Sequence, residues 1–146
     1  MTENAFVGAN LPDRHYFTDE KSVTATEIIT LRESINWRGD TRERWQTCIE
    51  QSLAVIGVRD SESNLVGVAC LAGNVRHAVL CDLVVSPAHQ HKGIGAAIML
   101  ELLKAADRIG VSYLYAELAD TNPFRDSMIR SGFKATGDSL FREAAS

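Results

Sequence analysis

Apolar residues recur along this chain at two spacings, and the switches between them divide it into elements. Ile28, Ile29, Leu31 and Ile35 fall at helical spacing behind Thr24 and Glu27, the separation of a capping box, so a first helix should run to near Asn36, with Trp37 packing just past its end. Asp40 followed by Glu43 repeats the start signal, and Trp45, Cys48, Ile49 and Leu53 give a second helix its face. From Leu53 to Val58 the residues are β-branched and apolar, Asp60 to Asn64 is turn chemistry, and Leu65 to Leu71 returns as the second strand of a hairpin. Gly73 and Asn74 mark another turn, after which Val79 to Val85 completes an antiparallel meander. The opening segment to about Asp19 shows little periodicity, although His15, Tyr16 and Phe17 suit an edge strand.

The pattern then changes. Ile94 to Ile109 has Ile98, Leu102, Leu103 and Ala106 on one side and Gly110 at the stop position, and Ser112 to Leu118 reads as the strand that follows. A strand, a helix and a strand so closely joined require a parallel pair with a right-handed crossover. Asn122 and Pro123 open a last helix through Arg130, ended by Gly132, and Phe133 to Thr136 with Ser139 to Glu143 form a terminal hairpin around Gly137 and Asp138. The fold class expected is therefore α+β, a mixed sheet with one embedded βαβ unit. All 146 residues are read as one domain, partly irregular over 1–19.

Composition narrows the function classes. Hydrophobic residues make up 45% and charged residues 23% of the chain, and the net charge of -4 is offset by no basic block, so nucleic acid is a poor partner. The sequence has no apolar run approaching the ~18 residues of a membrane span. Residues Met1 to Asn10 lack the basic start and apolar stretch of a signal peptide, and a cytoplasmic location without membrane association is expected. Cys48, Cys70 and Cys81 have no close-spaced pairing and read as free, buried thiols; His89 and His91 are two apart in a loop, so neither disulfide nor metal is expected.

The chemistry concentrates in residues 84–96. A strand ends at Ser86-Pro87, passes through a polar loop, and enters a helix through Gly93 and Gly95 with Lys92 beside them. Backbone N–H groups at a helix start are unpaired and partly positive, so glycines that let the chain close in make an anion cradle suited to a pyrophosphate. The third glycine of a dinucleotide fingerprint and the Gly-Lys-Ser/Thr of a P-loop are both missing. Taken alone, two glycines are equally consistent with a tight strand-to-helix turn.

Their setting decides between these. Gln90-His91-Lys92-Gly93-Ile94-Gly95, following a strand Asp82 to Val85 and preceding an amphipathic helix, resembles the Gln/Arg-x-x-Gly-x-Gly/Ala signature of the GNAT acetyltransferase superfamily, and Arg130-Ser131-Gly132-Phe133 resembles its closing Gly-Phe segment. Element order agrees with that superfamily from about Val23 onward. Leu31-Arg32-Glu33-Ser34 with Trp37, and Cys81-Asp82-Leu83-Val84-Val85, are further similar to the small bacterial and plastid branch that includes serotonin-type arylalkylamine acetyltransferases.

The resemblance implies an acetyl-CoA-dependent N-acetyltransferase acting on a primary amine, small or protein-borne, by direct attack on the thioester, with a homodimer as the family habit. It implies that backbone groups of Leu83 and Val85 pair with the pantetheine arm like an added strand, with Val84 between them also at the cofactor. His91, Lys92, Gly93, Ile94, Gly95 and Ala96 would wrap the pyrophosphate with Gln90 also at the cofactor, the Leu83 N–H would face the thioester carbonyl, and Asn122 would reach the cofactor from the neighbouring loop. Strands 79–85 and 112–118 would splay apart, with the amine entering the gap. Asp82 interrupts an apolar strand and is either the proton-accepting carboxylate or a partner for backbone or arginine groups; Glu117 and His89 are weaker candidates. Many relatives place a tyrosine five residues before the Gly-Phe phenylalanine, where this chain has Met128, which has no proton to give. Tyr113 and Tyr115 share one face of their strand and are the substitutes at hand. That departure keeps a second function class open, a catalytically degenerate acyl-CoA-binding sensor. The acidic balance suits a cationic acceptor, and Trp37, Trp45 and Phe124 are read either as pocket walls or, for the tryptophans, as core.

Overall fold

The computed structural model describes residues 10–18, 22–117, 124–136 and 139–143. Its first short strand, β1 (Tyr16–Phe17), is followed by helices α1 (Ala25–Glu33) and α2 (Arg42–Gln51). The meander is β2 (Ala54–Arg59), β3 (Leu65–Gly73) and β4 (His77–Val85). A single 3₁₀ turn at Pro87–His89 leads into helix α3 (Ile94–Ile109) and strand β5 (Tyr113–Glu117). Helix α4 (Arg125–Arg130) and strands β6 (Lys134–Thr136) and β7 (Ser139–Glu143) complete the described chain. The strands form one sheet in the order β1-β2-β3-β4-β5-β7-β6, antiparallel except for β4 and β5.

The sheet is filled on both faces because its central strands are apolar at nearly every position. Ile98, Leu102 and Leu103 of α3 pack one face with Leu71, Leu80, Leu114 and Leu140. Ile28 and Leu31 of α1 and Trp45 of α2 pack the other with Val55, Val68, Cys70 and Val84. At the α1 start, Thr24 and Glu27 make the expected reciprocal capping box. Glu27 also binds the Arg59 guanidinium, tying α1 to the end of β2. That hydrogen bond, against some opposing burial, holds the Glu27 carboxyl below its ordinary range.

Three expectations are corrected. Helix α1 stops at Glu33 rather than near Asn36, because the chain turns left-handed at Asn36 (φ 62°). Helix α2 is capped by Thr41, whose hydroxyl accepts the Arg44 N–H at 3.2 Å, while Asp40 instead pairs with the Arg44 side chain at 2.7 Å. Trp37 is not core: it is 47% exposed, whereas Trp45 is 6% exposed. The last helix is described only from Arg125; Asn122, Pro123, Gly137 and Asp138 lie outside the described residues. The cysteines are free, Cys70 buried and Cys48 and Cys81 half-buried.

Candidate functional site

The site begins as an irregularity in β4. Cys81 opposes Cys70 and Val84 opposes Val68, so β4 spends three steps where β3 spends two. The extra residue is absorbed at Asp82, which lies in the left-handed region at φ 59°, a β-bulge with an aspartate in its strained position. Pairing of β4 with β5 runs from His77↔Tyr113 to Leu80↔Ala116 and stops there. Beyond it, Cys81 to Val85 have no strand beside them on that edge among the described residues.

Backbone direction on this open edge follows from the ladder on the other side. Ser86 donates its N–H to the Val66 carbonyl at 2.8 Å. Antiparallel pairs alternate between bonded and non-bonded, so Val84 also faces β3, and the backbone groups of Leu83 and Val85 turn toward the gap. The Val85 carbonyl meets the Gln90 side-chain amide there at 3.0 Å.

The open edge runs into the start of α3. His91 and Gly93 are both left-handed, at φ 64° and 88°, so successive N–H groups curl inward as in an anion-binding nest. No side chain caps the helix, and its first internal bond is Ala97 N–H to the Gly93 carbonyl at 3.0 Å; the N–H groups before it have no helical partner. A Cβ on Gly95 would sit 2.9 Å from Cζ of Phe124, so glycine lets the ring close over the helix start.

Edge, nest and ring enclose a cleft of about 410 Å³, a size typical of ligand sites. Of the residues expected at the cofactor, Leu83, Val84, Val85, Gln90, His91, Gly93, Gly95 and Ala96 line it. Ile94 is buried in the core and offers only its backbone, and Lys92 is exposed beside the loop. Asp82 opens instead onto a second, more polar cleft of about 490 Å³ with Arg32, Trp45 and Cys48.

Residues 20–133 match the model of the acetyltransferase (GNAT) family. The chain belongs to the GNAT acetyltransferase family. It is 27% identical over 108 residues to an uncharacterized N-acetyltransferase, ycf52, of Porphyra purpurea, covering 70% of this chain and 62% of that protein. In fold it is similar to N-acetylglutamate synthase of Neisseria gonorrhoeae complexed with coenzyme A and N-acetylglutamate (TM-score 0.69, 19% identity), over 90% of this chain but 35% of that one. PaiA N-acetyltransferase of Thermoplasma acidophilum, in complex with coenzyme A, aligns over 89% of this chain and 99% of its own at TM-score 0.67 and 19% identity. The ribosomal-protein-S18-alanine N-acetyltransferase of Escherichia coli reaches TM-score 0.70 at 14% identity, over 90% and 96% of the two chains.

Within this GNAT fold, Met128 is fully buried. Tyr115 hydrogen bonds His77 Nδ1 at 3.0 Å, and Tyr113 stacks on the same imidazole at 5.0 Å, so both rings stay at the paired end of β5, away from the cleft. His89 lines the cleft, shares a 2.6 Å hydrogen bond with Ser86 and packs edge-on against His15 at 5.4 Å. Burial first, then the charges of His15 and Lys92, lower the His89 pKa. The Glu117 side chain lies outside the described residues.

Sequence reasoning missed two groupings. Arg32 stacks between Trp37 and Trp45, with ring centroids 5.1 and 5.0 Å from its guanidinium carbon. The three thiols also gather behind the bulge: the Cys81 thiol donates to the Cys70 carbonyl at 3.7 Å, the neighbouring Cys70 draws the Cys48 thiol below its ordinary range, Cys70 itself is pushed up by Cys48 and by burial, and Cys81 is pushed up to about 12, chiefly by burial. Residues spread over α1, α2, β3 and β4 have no sequence spacing that would reveal either grouping.

Proposed function

We propose that this protein transfers an acetyl group from acetyl-CoA to a primary amine, with the open edge of β4 and the nest at the start of α3 as its cofactor site. The observation that supports this most is the continuity of the two: an unpaired strand edge running directly into an uncapped, glycine-lined helix start, inside one cleft of suitable size. A pantetheine arm is a chain of amides and pairs with an edge as a strand does; a pyrophosphate is what a nest and helix N-terminus favour.

Acetyl-CoA supplies the activated thioester. Leu83 and Val85 offer backbone groups to the amides of the arm, with Gln90 yielding the Val85 carbonyl it occupies. Gly93, Ile94, Gly95 and Ala96 present N–H groups to the pyrophosphate, Lys92 adds a full charge nearby, and Asn122 is assigned from the adjoining loop. The Leu83 N–H lies on the open edge where the thioester carbonyl would rest and stabilises the negative charge that develops on its oxygen. Positioning of amine and thioester in the gap between β4 and β5 supplies much of the remaining acceleration. Asp82 faces α1 and α2 with Arg32 3.6 Å away, which favours its role as anchor of the bulge over that of base. Protons then leave the attacking amine through solvent in the gap, and the coenzyme A thiolate departs without a side-chain acid. The acceptor class is taken as a cationic amine, with the exposed Trp37 at the cleft wall suited to an arylalkylamine of the kind the serotonin-type branch uses.

Calorimetric titration with acetyl-CoA, followed by a thiol-release assay with an arylalkylamine, spermidine and a lysine peptide, tests this. Binding with release tied to one amine is expected. Binding without release from any amine would leave a sensor of acyl-CoA and overturn the transferase reading; absence of binding would overturn the cofactor site as well.

A further inference from the structure

A left-handed backbone costs energy at any residue with a side chain, less at aspartate than at most, and inside a buried strand its surroundings must hold it in place. Asp82 shares its cleft with Arg32, Arg44, Asp40 and Glu43, and among the described residues the cation that pairs with its carboxylate is Arg32. Arg32 approaches the Asp82 carboxylate to 3.6 Å, beyond hydrogen-bond reach, so the contact acts by charge. Its side chain is 19% exposed against 37% for Asp82, and Nη1 is buried without a hydrogen-bond partner. The guanidinium stays in place because Trp37 and Trp45 grip it from two sides. Trp45 is fixed in the core on α2, and Trp37 is returned onto the end of α1 by its N–H bond to the Arg32 carbonyl at 2.9 Å. Arg32 thus joins α1, α2 and the loop between them to the one strained residue of β4.

The residue after Asp82 is Leu83, whose amide faces the gap. We propose that Arg32, held between Trp37 and Trp45, is a positioning residue that fixes the left-handed bulge at Asp82 and so aims the Leu83 N–H at the acyl group. This rests on the transferase reading above. It predicts that the planar guanidinium matters as well as its charge, since an ammonium cannot stack between two indoles in the same way. The arrangement also gives the acceptor side a hold on the oxyanion donor, because Trp37 belongs both to the Arg32 clamp and to the wall of the cofactor cleft.

The test uses R32M, R32K, D82A and D82G in the full chain, with acetyl-CoA and whichever amine of the three-member panel supports release. R32M and R32K should each lower kcat by about 30-fold while the acetyl-CoA Kd changes less than about threefold, the split expected when a transition-state donor is mis-aimed and ground-state binding survives. Glycine adopts the left-handed conformation without an anchor, so D82G should retain roughly tenfold more kcat than D82A although both lack the carboxylate. Equal loss in the two would overturn the proposal and return Asp82 to a proton-transfer role, as would full activity of R32K. A readout independent of activity is the Leu83 amide in the unliganded protein: R32M should shift its NMR resonance, with that of Leu102 in α3 unchanged. An unmoved Leu83 amide in a folded R32M protein overturns the proposal even if the wild type is active. If the wild type releases no thiol with any amine, the transferase reading fails, and the amide readout alone decides whether Arg32 holds the bulge. Should R32M fail to fold, R32K decides by the same kcat and Leu83 amide readouts, with the D82A and D82G pair testing the bulge itself.

Discussion

Residues His77 to Leu80 and Cys81 to Val85 belong to one strand and have similar apolar character, yet they meet different neighbours. The first half is paired on both sides, with β3 and with β5. The second keeps β3 and, among the described residues, has no partner in β5, and the change falls beside a single extra residue, Asp82, in the left-handed region. The paired half holds the sheet together; the open half turns backbone groups toward a cleft, where the Val85 carbonyl meets only the Gln90 side chain. One inserted residue in a buried strand is enough to turn a structural element into a binding edge, because the side-chain period of two leaves no other way to absorb it.

The sharpest way to break this comparison lies where the open edge meets the helix. Gly93→Leu places a side chain at φ 88° in the nest, and we expect at least about 100-fold weaker acetyl-CoA binding by calorimetry, with the far-ultraviolet spectrum retained. Proline then separates the two halves. Val79→Pro removes a ladder bond from the doubly paired half and should destabilise the protein by about 3 kcal/mol in denaturant unfolding. Val85→Pro removes an N–H that faces the gap, so it should spare stability and weaken acetyl-CoA by roughly tenfold. A smaller effect is expected from Gly95→Ala, whose new methyl meets Phe124 at 2.9 Å: the ring must move, and affinity should fall a few-fold.

The least disruptive test concerns α1, which carries Arg32 to the bulge. Glu27→Gln keeps the cap geometry but loses the charge facing Arg59, and should cost about 1 kcal/mol at pH 7. Since the folded-state pKa of Glu27 is lowered from 4.5, that contribution is full above 4.5 and is lost as the pH falls through the folded value. The gap between wild type and variant in unfolding free energy should close in the same window.

Much of this was legible in the sequence, for identifiable reasons. The helix Ile94–Ile109 was read to the residue because a long apolar face and a terminal Gly110 leave little ambiguity. The splaying of β4 from β5 came from a family resemblance, and the structure adds that the β4–β5 pairing ends next to a bulge at Asp82. The positive φ of Asp82 had no local signature: an aspartate in an apolar strand reads equally as base, ion-pair partner or edge residue. Thr41 was passed over as a cap because Asp40 beside it is an equally good one by type, and only the competing Arg44 side chain decides between them. Trp37 was read toward the core by its size, whereas Arg32 holds it at the surface. Local pattern finds elements; which polar groups meet across elements is set by the assembled sheet.

The most direct test of the account is an amide NMR titration of the protein with acetyl-CoA. The resonances of Leu83, Val85, Gly93 and Gly95 should shift and gain exchange protection together, while those of His77 to Leu80 stay in place. Perturbation confined to the paired half of β4, or none in the open half at saturating acetyl-CoA, would contradict the claim that the open edge is the cofactor site.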